Sequence, residues 1–372
     1  MMKFSVRSSD LQKALSKTVS VVPTRSTLPI LENLLFDIHA NTLKITATDL
    51  EISVSVSLEV QGGQNGTIAI PAKKIFDTVR ALPDTNIVFT IDTESNKVKM
   101  KTDNGEYTLT GESSEEFPAI PEFKGETEIP FDVPVLQRLI GTTLFAVSAD
   151  ELRPAMMGVL FQFSKGQVRT VATDGHRLVR VVHSNIPAVK ITKDIIIPAK
   201  ALSLLDKVAA GASTKVLITG THVMFRFDGT SLISRLIEEK YPNYESVIPQ
   251  DNEKRLVVNK HEMLQSVRRV SLYSNSTTHQ IRFSVAKDEI RVTAEDQDFG
   301  SEAKEKVSCD YNDDEIEIGF NSGYVVDVLS HLEADEVEFR MSSPNRAAVI
   351  SPAAPREGED VLMLIMPVRL NN

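Results

Sequence analysis

The chain has 372 residues, of which 41% are hydrophobic and 25% charged, which excludes a largely disordered chain and predicts two or three domains. Its single cysteine excludes a disulfide framework and any site built from several cysteines. The net charge of −10 argues weakly against bulk nucleic-acid binding, because phosphate contacts need lysine and arginine.

The two chain ends show no membrane or export signal. The N-terminal sequence has no apolar core of a signal peptide. The longest apolar run near the C-terminus, residues 361–366, is far shorter than the ~20 residues that span a bilayer. We therefore expect a soluble, cytoplasmic protein with no membrane partner.

Within the chain, the elements follow a recurring order. The first predicted helix follows an Asp10 N-cap, with apolar residues at helical spacing, and its equivalents begin near Val135 and Lys260. Period-two alternation predicts strands, as at 52–58 and 86–92. The starts of a second set of helices are Ala72, Ala199 and Asn321.

Three sequence patterns share one period. A predicted strand ends at Asp49, Asp174 and Asp296, which are 125 and 122 residues apart. A dipeptide of an apolar residue and proline recurs with its proline at Pro118, Pro242 and Pro367, which are 124 and 125 residues apart. The starts of the second helices repeat with nearly the same spacing. We therefore predict three tandem copies of one α+β domain, with two helices and two sheets each, at residues 1–125, 126–250 and 251–372.

The turn at 173–178 holds the strongest candidate for catalysis. Asp174 and His176 lie two residues apart beside Gly175, a spacing suited to acid–base chemistry or to metal binding. The aspartate recurs in the other copies and the histidine does not. A repeated aspartate at a strand–turn junction usually accepts backbone hydrogen bonds. We predict that role for Asp174 and keep a hydrolase as the alternative.

Other motifs of catalysis and cofactor binding are missing from the sequence. It contains no phosphate-binding loop, dinucleotide fingerprint, zinc-protease motif or nucleophile elbow. Cys309 has no histidine nearby in the sequence, and we predict that it is a small core or surface residue. The sequence therefore predicts no enzyme, no cofactor and no metal site. A structural or adhesive three-repeat protein that does not bind DNA is a further alternative.

Charge is distributed unevenly along the chain. The six predicted helices carry 11 basic and 6 acidic residues, a net charge of +5, so the remainder of the chain carries −15. This segregation favours one basic face on an acidic body.

The C-terminal residues 364–370 are apolar, although a terminus usually frays unless it is docked. They suit either a last core strand or the wall of an apolar groove beside the 173–178 turn and residues 241–244. Such grooves bind short partner peptides.

These features resemble the β subunits of bacterial DNA polymerase III, the sliding clamps. The resemblance extends over the whole chain and is carried by residues 2–6, 27–31, 47–51, 172–178, 241–244, 319–321, Tyr324 and 366–370. It implies three clamp domains with antiparallel sheets, and a head-to-tail homodimer that closes into a six-domain ring. The ring encircles duplex DNA and confers processivity without catalysis.

The resemblance also implies partners and site residues. The partners are DNA, the polymerase III catalytic subunit, the clamp loader, and other polymerases, ligase and mismatch-repair proteins that carry a short peptide motif. The expected DNA-facing residues are Arg25, Lys73, Lys74, Arg80, Arg138, Lys200, Lys207, Arg268 and Arg269. The expected peptide groove consists of Arg153, Met156, Thr173, Gly175, His176, Arg177, Leu178, Pro242, Val247, Tyr324, Leu364, Met366, Pro367, Val368 and Arg369.

At the implied dimer interface, Tyr107 and Leu109 of one chain should meet Leu272 and Tyr273 of the other chain. Glu106 stands where some relatives have arginine, so we hypothesise inverted charges, with Glu106 facing Lys304 or Lys306. Other departures from the family pattern are Pro154 and Ala155 in place of aromatic residues, Ser246 in place of arginine, and the final Asn371 and Asn372.

Overall fold

Each copy contains two α-helices and a set of antiparallel strands in the computed structural model, which describes residues 1–124, 128–164, 166–184, 186 and 192–370. The predicted α+β class is confirmed. The predicted boundary at 125/126 and the last two asparagines lie outside the described residues.

The elements recur in similar order in the three copies. Copy one contains β1 (Met2–Arg7), α1 (Ser8–Thr18), β2 (Asn33–His39), β3 (Thr42–Thr48), β4 (Ile52–Glu59), β5 (Gly66–Pro71), α2 (Ala72–Ala81), β6 (Asn86–Asp92), β7 (Lys97–Lys101) and β8 (Glu106–Thr110). Copy two contains β9 (Glu128–Asp132), α3 (Val133–Thr143), β10 (Gly158–Ser164), β11 (Gln167–Thr173), β12 (Arg177–Ser184), β13 (Lys193–Pro198), α4 (Ala199–Val208), β14 (Ser213–Ile218), β15 (His222–Phe227) and β16 (Thr230–Arg235). Copy three contains β17 (Lys254–Asn259), α5 (Lys260–Ser271), β18 (Gln280–Ala286), β19 (Glu289–Asp296), β20 (Ser301–Tyr311), β21 (Ile316–Asn321), α6 (Ser322–His331), β22 (Glu336–Met341), β23 (Ala348–Pro352) and β24 (Glu359–Ile365).

The strands form three sheets in two compact units. The unit of Met1–Gln137 with Lys200–Leu236 holds the sheets β1-β6-β7-β8 and β5-β2-β3-β4-β16-β15-β14-β9. The unit of Arg138–Ala199 with Ile237–Asn372 holds the sheet β13-β10-β11-β12-β24-β23-β22-β17-β20-β19-β18-β21.

Neighbouring copies are joined by antiparallel strand pairs. In the first unit, β4 of copy one pairs with β16 of copy two, with Ser53 opposite Ile233. In the second unit, β12 of copy two pairs with β24 of copy three, with Leu178 opposite Leu364. In both pairs, the first strand directly follows one of the repeated aspartates. The sheets therefore continue from one copy to the next.

Alternating burial sets the inward face of each sheet. In β6, Ile87, Phe89 and Ile91 are fully buried, while the residues between them are partly exposed. The ring of Phe89 stacks on Phe4 of β1 at a centroid distance of 4.6 Å, a contact that adds about 0.5–1.5 kcal/mol to the burial energy. Helix α1 packs against β1, β3, β4 and α2, which places the helices on this inward face.

Most predicted helix starts agree with the structure. Helices α2 and α4 begin at Ala72 and Ala199, and α6 begins at Ser322, where Oδ1 of the N-cap residue Asn321 accepts a hydrogen bond from the Gly323 N–H at 2.9 Å. The prediction for α1 was wrong by three positions: its N-cap is Arg7, and Asp10 lies in its first turn, where a carboxylate suits the helix dipole. Among the described residues, no helix is long and apolar enough to cross a membrane.

The environment of Cys309 generates a prediction about its reactivity. Burial, reinforced by the nearby Asp288 carboxylate, raises the thiol pKa to about 11. Because only the thiolate is nucleophilic, we expect Ellman's reagent at pH 8 to react about 100-fold more slowly with the native protein than with an unperturbed thiol. The same assay in denaturant serves as the control, and an equal rate in the native and the denatured protein would contradict the raised pKa of Cys309.

Candidate functional site

Asp174 closes the turn between β11 and β12. Its Oδ1 accepts hydrogen bonds from the backbone N–H groups of His176 and Arg177 at 2.8 and 3.0 Å. Its Oδ2 lies 3.1 Å from Nε of Arg177. Gly175, inside the turn, has a φ of +92°, a conformation that favours glycine. The carboxylate therefore binds the backbone and a guanidinium.

The other two repeated aspartates act in the same way. Oδ1 of Asp49 accepts from the backbone N–H groups of Glu51 and Ile52 at 3.1 and 2.7 Å. Oδ1 of Asp296 accepts from the N–H of Asp298 at 3.1 Å. The predicted backbone role of the repeated aspartate is confirmed in all three copies.

Arg177 connects copies two and three. Its guanidinium forms ion pairs with Asp174 and with Asp327 of α6, and it donates to the Phe145 carbonyl at 2.8 Å. Its central carbon lies 5.2 Å from the ring centre of Phe145 and 4.9 Å from that of Tyr324, both within cation–π range. Only 11% of the side chain is exposed, so its position is fixed by contacts on every side.

His176 and Tyr324 form one wall of the site. Their rings stack at a centroid distance of 5.9 Å and an interplanar angle of 14°. The backbone carbonyl of His176 accepts a hydrogen bond from Met366 N–H at 2.8 Å, which holds the C-terminal segment beside the turn. The histidine thus contacts both α6 and the last residues of the chain.

The C-terminal segment follows β24 and lies along β21. Val368 N–H donates to the Gly319 carbonyl at 2.9 Å. A Cβ at Gly319 would come within 2.7 Å of the Val368 carbonyl and of the Leu370 side chain. Pro367 and Val368 are half-buried and Arg369 is exposed. The prediction of a last core strand is confirmed for the residues up to Ile365, and the residues after it lie at the surface.

An apolar cluster lies under this wall. Leu178 and Leu364 are only 2% exposed and pack with the other cluster members Leu160, Val171, Ile196, Tyr244, Ile248 and Ala347. The exposed apolar surface comes instead from Pro242, from Val247 and from Met366. Leu178 and Leu364, which were predicted to line the groove, therefore lie in the buried cluster and not at the surface.

Arg153 and Met156 complete the rim. Nη1 of Arg153 donates to the Asp174 carbonyl at 3.0 Å, and its Nε pairs with Asp150 at 2.8 Å. Met156 is buried behind Gly175, and the nearby Thr173 hydroxyl donates to the Arg177 carbonyl at 2.7 Å. The predicted groove residues are thus brought together within one unit.

Three of the residues that depart from the family pattern, Pro154, Ala155 and Ser246, are sequence neighbours of the predicted groove residues Arg153, Met156 and Val247. Pro154 starts a short 3₁₀ helix, and Ala155 packs against the apolar cluster. Ser246 is exposed, and its hydroxyl donates to the Asn243 carbonyl at 2.8 Å.

Sequence reasoning missed a polar network behind the cluster. Arg169 donates to the Tyr244 hydroxyl at 3.0 Å and to Glu245 at 2.8 Å, and the Tyr244 hydroxyl donates to Gln162 at 2.7 Å. Burial raises the pKa of Tyr241, whose hydroxyl donates to the Val171 carbonyl at 3.3 Å. The only signal in the sequence is the motif Tyr-Pro-Asn-Tyr at 241–244, which does not reveal the distant hydrogen-bond partners of its two tyrosines.

The predicted DNA-facing cations differ in their surroundings. Arg25, Lys73, Lys74 and Lys207 are exposed. Three of the remaining exposed cations form ion pairs: Arg80 with Asp77, Lys200 with Asp49, and Arg269 with Glu305. Arg268 is exposed and donates to the Ser330 hydroxyl at 3.3 Å.

Arg138 differs from the others. It is bidentate to Glu359, at 2.7 and 2.8 Å, and also pairs with Glu333. The hydrogen bond to Glu359 is the main cause that raises the pKa of Arg138, and Glu333 adds to it; only 17% of the Arg138 side chain is exposed. The charge of Arg138 is therefore compensated within the protein, which leaves the other cations as the candidates for DNA contacts.

Three of the four predicted interface residues, Tyr107, Leu272 and Tyr273, are exposed, and Leu109 is half-buried. Leu272 and Tyr273 follow α5 and are 81% and 46% exposed. Tyr107 and Leu109 lie on β8, the last strand of its sheet.

In the part of the chain that the structure describes, no group of three or more His, Cys, Asp or Glu side chains is placed to hold a metal ion.

Comparison with known proteins identifies the class. Family models for the DNA polymerase III beta subunit match in chain order: the N-terminal domain over residues 2–121, the central domain over 131–243 and the C-terminal domain over 245–369. The chain belongs to the DNA polymerase III beta-subunit family.

Individual relatives match over the full length. The beta sliding clamp of Vibrio cholerae is 30% identical over 99% of this chain and 100% of its own. A DNA polymerase sliding clamp from Pseudomonas aeruginosa, solved with a ligand, has a TM-score of 0.94 at 28% identity and covers both chains fully. A sliding clamp from Bartonella birtlesii, bound to griselimycin, has a TM-score of 0.92 at 29% identity, over 99% of this chain and 100% of its own.

The close approach at Gly319 predicts the effect of one added methyl group. Gly319→Ala should push away the 366–370 segment and destabilise the second unit by about 1–3 kcal/mol, because Val368 cannot move away without losing the hydrogen bond from its N–H to the Gly319 carbonyl. Limited proteolysis of the C-terminus and urea unfolding check this. Gly220→Ala is the control, since a Cβ there meets nothing within 4 Å. Equal proteolysis of the two variants would contradict the prediction.

Proposed function

We propose that two copies of this chain close head to tail into a ring that encircles duplex DNA and tethers the replicative polymerase in the bacterial cytoplasm. The assignment is supported by membership of the DNA polymerase III beta-subunit family and by relatives named sliding clamps. The chain acts as a processivity factor and performs no reaction. Its effect is to keep the polymerase at high effective concentration near the primer end.

The contact with DNA is assigned to the basic helices. The six helices of the structure carry 11 basic and 5 acidic residues, because α6 ends at His331 and leaves Glu333 outside. Lysine and arginine side chains that meet phosphates without reading bases give mobile, salt-sensitive binding. The strongest candidates are the exposed Lys73, Lys74 and Lys207, with Arg25 in the loop after α1.

The repeated strand pairing between copies is the observation that carries the dimer. The strand after the repeated aspartate pairs with the next copy twice, as β4–β16 and as β12–β24. In copy three, the corresponding strand is β20. Residues 301–306 of β20 pair on one side with β19, and their other edge has no backbone partner among the described residues. This unpaired edge supports a partner strand from a second chain, which would complete the repeat.

Copy one offers the matching strand. β8 ends its sheet, pairs with β7 only among the described strands, and takes the place that β16 and β24 have in the later copies. Pairing β20 with β8 of a second chain satisfies both free edges. It also brings Tyr107 and Leu109 towards the exposed Leu272 and Tyr273, so the predicted apolar contacts fit this pairing.

The same pairing places charges opposite one another. Glu106 lies on the outward face of β8, and Lys304 and Lys306 lie on the outward face of β20. In the β4–β16 pair, Ile233 lies opposite Ser53, and the strand register makes Glu302 of β20 the equivalent of Ser53. If Thr108 lies opposite Glu302, Glu106 faces Lys304. If Thr110 lies there instead, Glu106 faces Lys306. Within the chain, Glu106 lies 3.7 Å from Lys99 and stays largely exposed, whereas Lys306 is 2.8 Å from Glu289.

The groove is assigned to short partner peptides. Pro242, Val247 and Met366 supply exposed apolar surface, and the stacked His176 and Tyr324 form a wall. A methionine at the surface adapts to different side chains, which suits one site shared by several partners. We assign to it a motif of glutamine with leucine or phenylalanine, carried by the polymerase, the clamp loader and repair proteins.

Topology provides the test of the ring. After loading by a bacterial clamp loader, the protein should stay on nicked circular DNA and leave the same DNA within minutes of linearisation, because a ring slides off free ends. Gel filtration with labelled protein measures retention. Linear DNA with both ends blocked by a bound protein is the control and should retain the ring. Equal retention on open linear and circular DNA would contradict encirclement.

Charge exchange provides the test of the interface. Glu106→Lys alone, or Lys304→Glu with Lys306→Glu, should weaken the dimer several-fold, and combining them should restore it, since exposed pairs contribute about 0.2–1 kcal/mol each. Sedimentation equilibrium measures the dimer Kd. Glu94→Lys, on the exposed turn between β6 and β7, is the control. Additive weakening in the combined variant would refute the charge pairing.

A further inference from the structure

The outward face of the sheet β1-β6-β7-β8 is basic, in contrast to the acidic chain as a whole. Strand β7 alternates the exposed Lys97, Lys99 and Lys101 with the buried Val98 and Met100. The three lysine side chains therefore project from the same face of the sheet. These three lysines are called the lysine stripe below. The spacing along a strand places neighbouring members of the stripe about 7 Å apart.

Strand register adds a fourth cation to this face. Lys3 of β1 lies opposite Thr90 of β6, and Thr90 lies opposite Lys99. Lys3 is therefore two strands from Lys99, about 10 Å away. Small side chains, Thr90 and Thr108, flank Lys99 in this row and leave room for a bound chain.

Local carboxylates compensate only part of this charge. Oε1 of Glu106 lies 3.7 Å from Nζ of Lys99. Asp92 is bound to the Ser95 hydroxyl at 2.6 Å and to Glu94 N–H at 3.1 Å, which lower its pKa. Within the described residues, no carboxylate lies within 4 Å of the ammonium groups of Lys3, Lys97 or Lys101.

We propose that the lysine stripe, with Lys3, binds an extended acidic segment of a partner protein that carries carboxylates at alternate residues. An extended chain repeats every second side chain at the same distance as the stripe, so three carboxylates can meet three ammonium groups in register. The contact is electrostatic, and it is weakened by salt.

The side chains of this face favour an acidic peptide over a nucleic acid. The outward positions of all four strands, which lie within the described part of the chain, carry no aromatic side chain on which a base could stack. The aromatic residues Phe4 and Phe89 are buried on the opposite side of the sheet.

The binding test uses the full-length protein and a fluorescein-labelled peptide of about ten residues that alternates glutamate and threonine. Fluorescence anisotropy should show binding at low salt that is lost at high salt, and no binding of the matching glutamine–threonine peptide. Changing Lys97, Lys99 and Lys101 together to glutamine should raise the Kd about tenfold.

The controls separate a specific face from total charge. Lys44, Lys240 and Lys287 are exposed lysines elsewhere, and changing all three to glutamine alters the net charge equally. Equal weakening by both triple variants would overturn the proposal. A labelled thymidine oligonucleotide provides the second arm: if the stripe variant weakens its binding as much as that of the peptide, the face is a nucleic-acid site and the proposal fails. Thermal unfolding confirms that each variant is folded.

Discussion

Open sheet edges are the constraint on which this architecture depends. A strand at the edge of a sheet exposes a row of N–H and C=O groups, and these groups need partners. Copies one and two meet this need by pairing the strand after Asp49 or Asp174 with a strand of the following copy. The aspartate caps the turn, so the strand leaves it in the direction that the neighbouring edge requires. One short polar motif thus sets the junction between copies.

Several features of the fold were predictable because they depend on neighbouring residues. The starts of α2 and α4 follow from an apolar strand that ends in proline, and the role of Asp174 follows from its recurrence without the histidine. The N-cap of α1 was misassigned because aspartate is a favoured N-cap residue, whereas the actual N-cap, Arg7, is not a favoured type and forms no side-chain cap hydrogen bond.

Features that depend on distant residues could not be predicted in the same way. Arg138 was expected to face DNA, but Glu333 and Glu359, nearly two hundred or more residues away, surround its guanidinium. The Tyr244 hydroxyl and Arg169 likewise meet only through the tertiary fold. Leu178 was expected to line the groove surface, and the structure places it beneath, because β12 pairs with β24 in the interior of a sheet. Total charge was equally uninformative, since its value hides basic helices and a basic sheet face.

The surroundings of Arg177 have a consequence for substitution at this position. In this protein, the Arg177 guanidinium contacts Asp174, Asp327, Phe145 and Tyr324 together, and these belong to two consecutive copies. A lysine lacks the planar fork that these contacts use. A charge-conserving substitution at Arg177 therefore still loosens the junction between copies two and three, so this position tolerates little change.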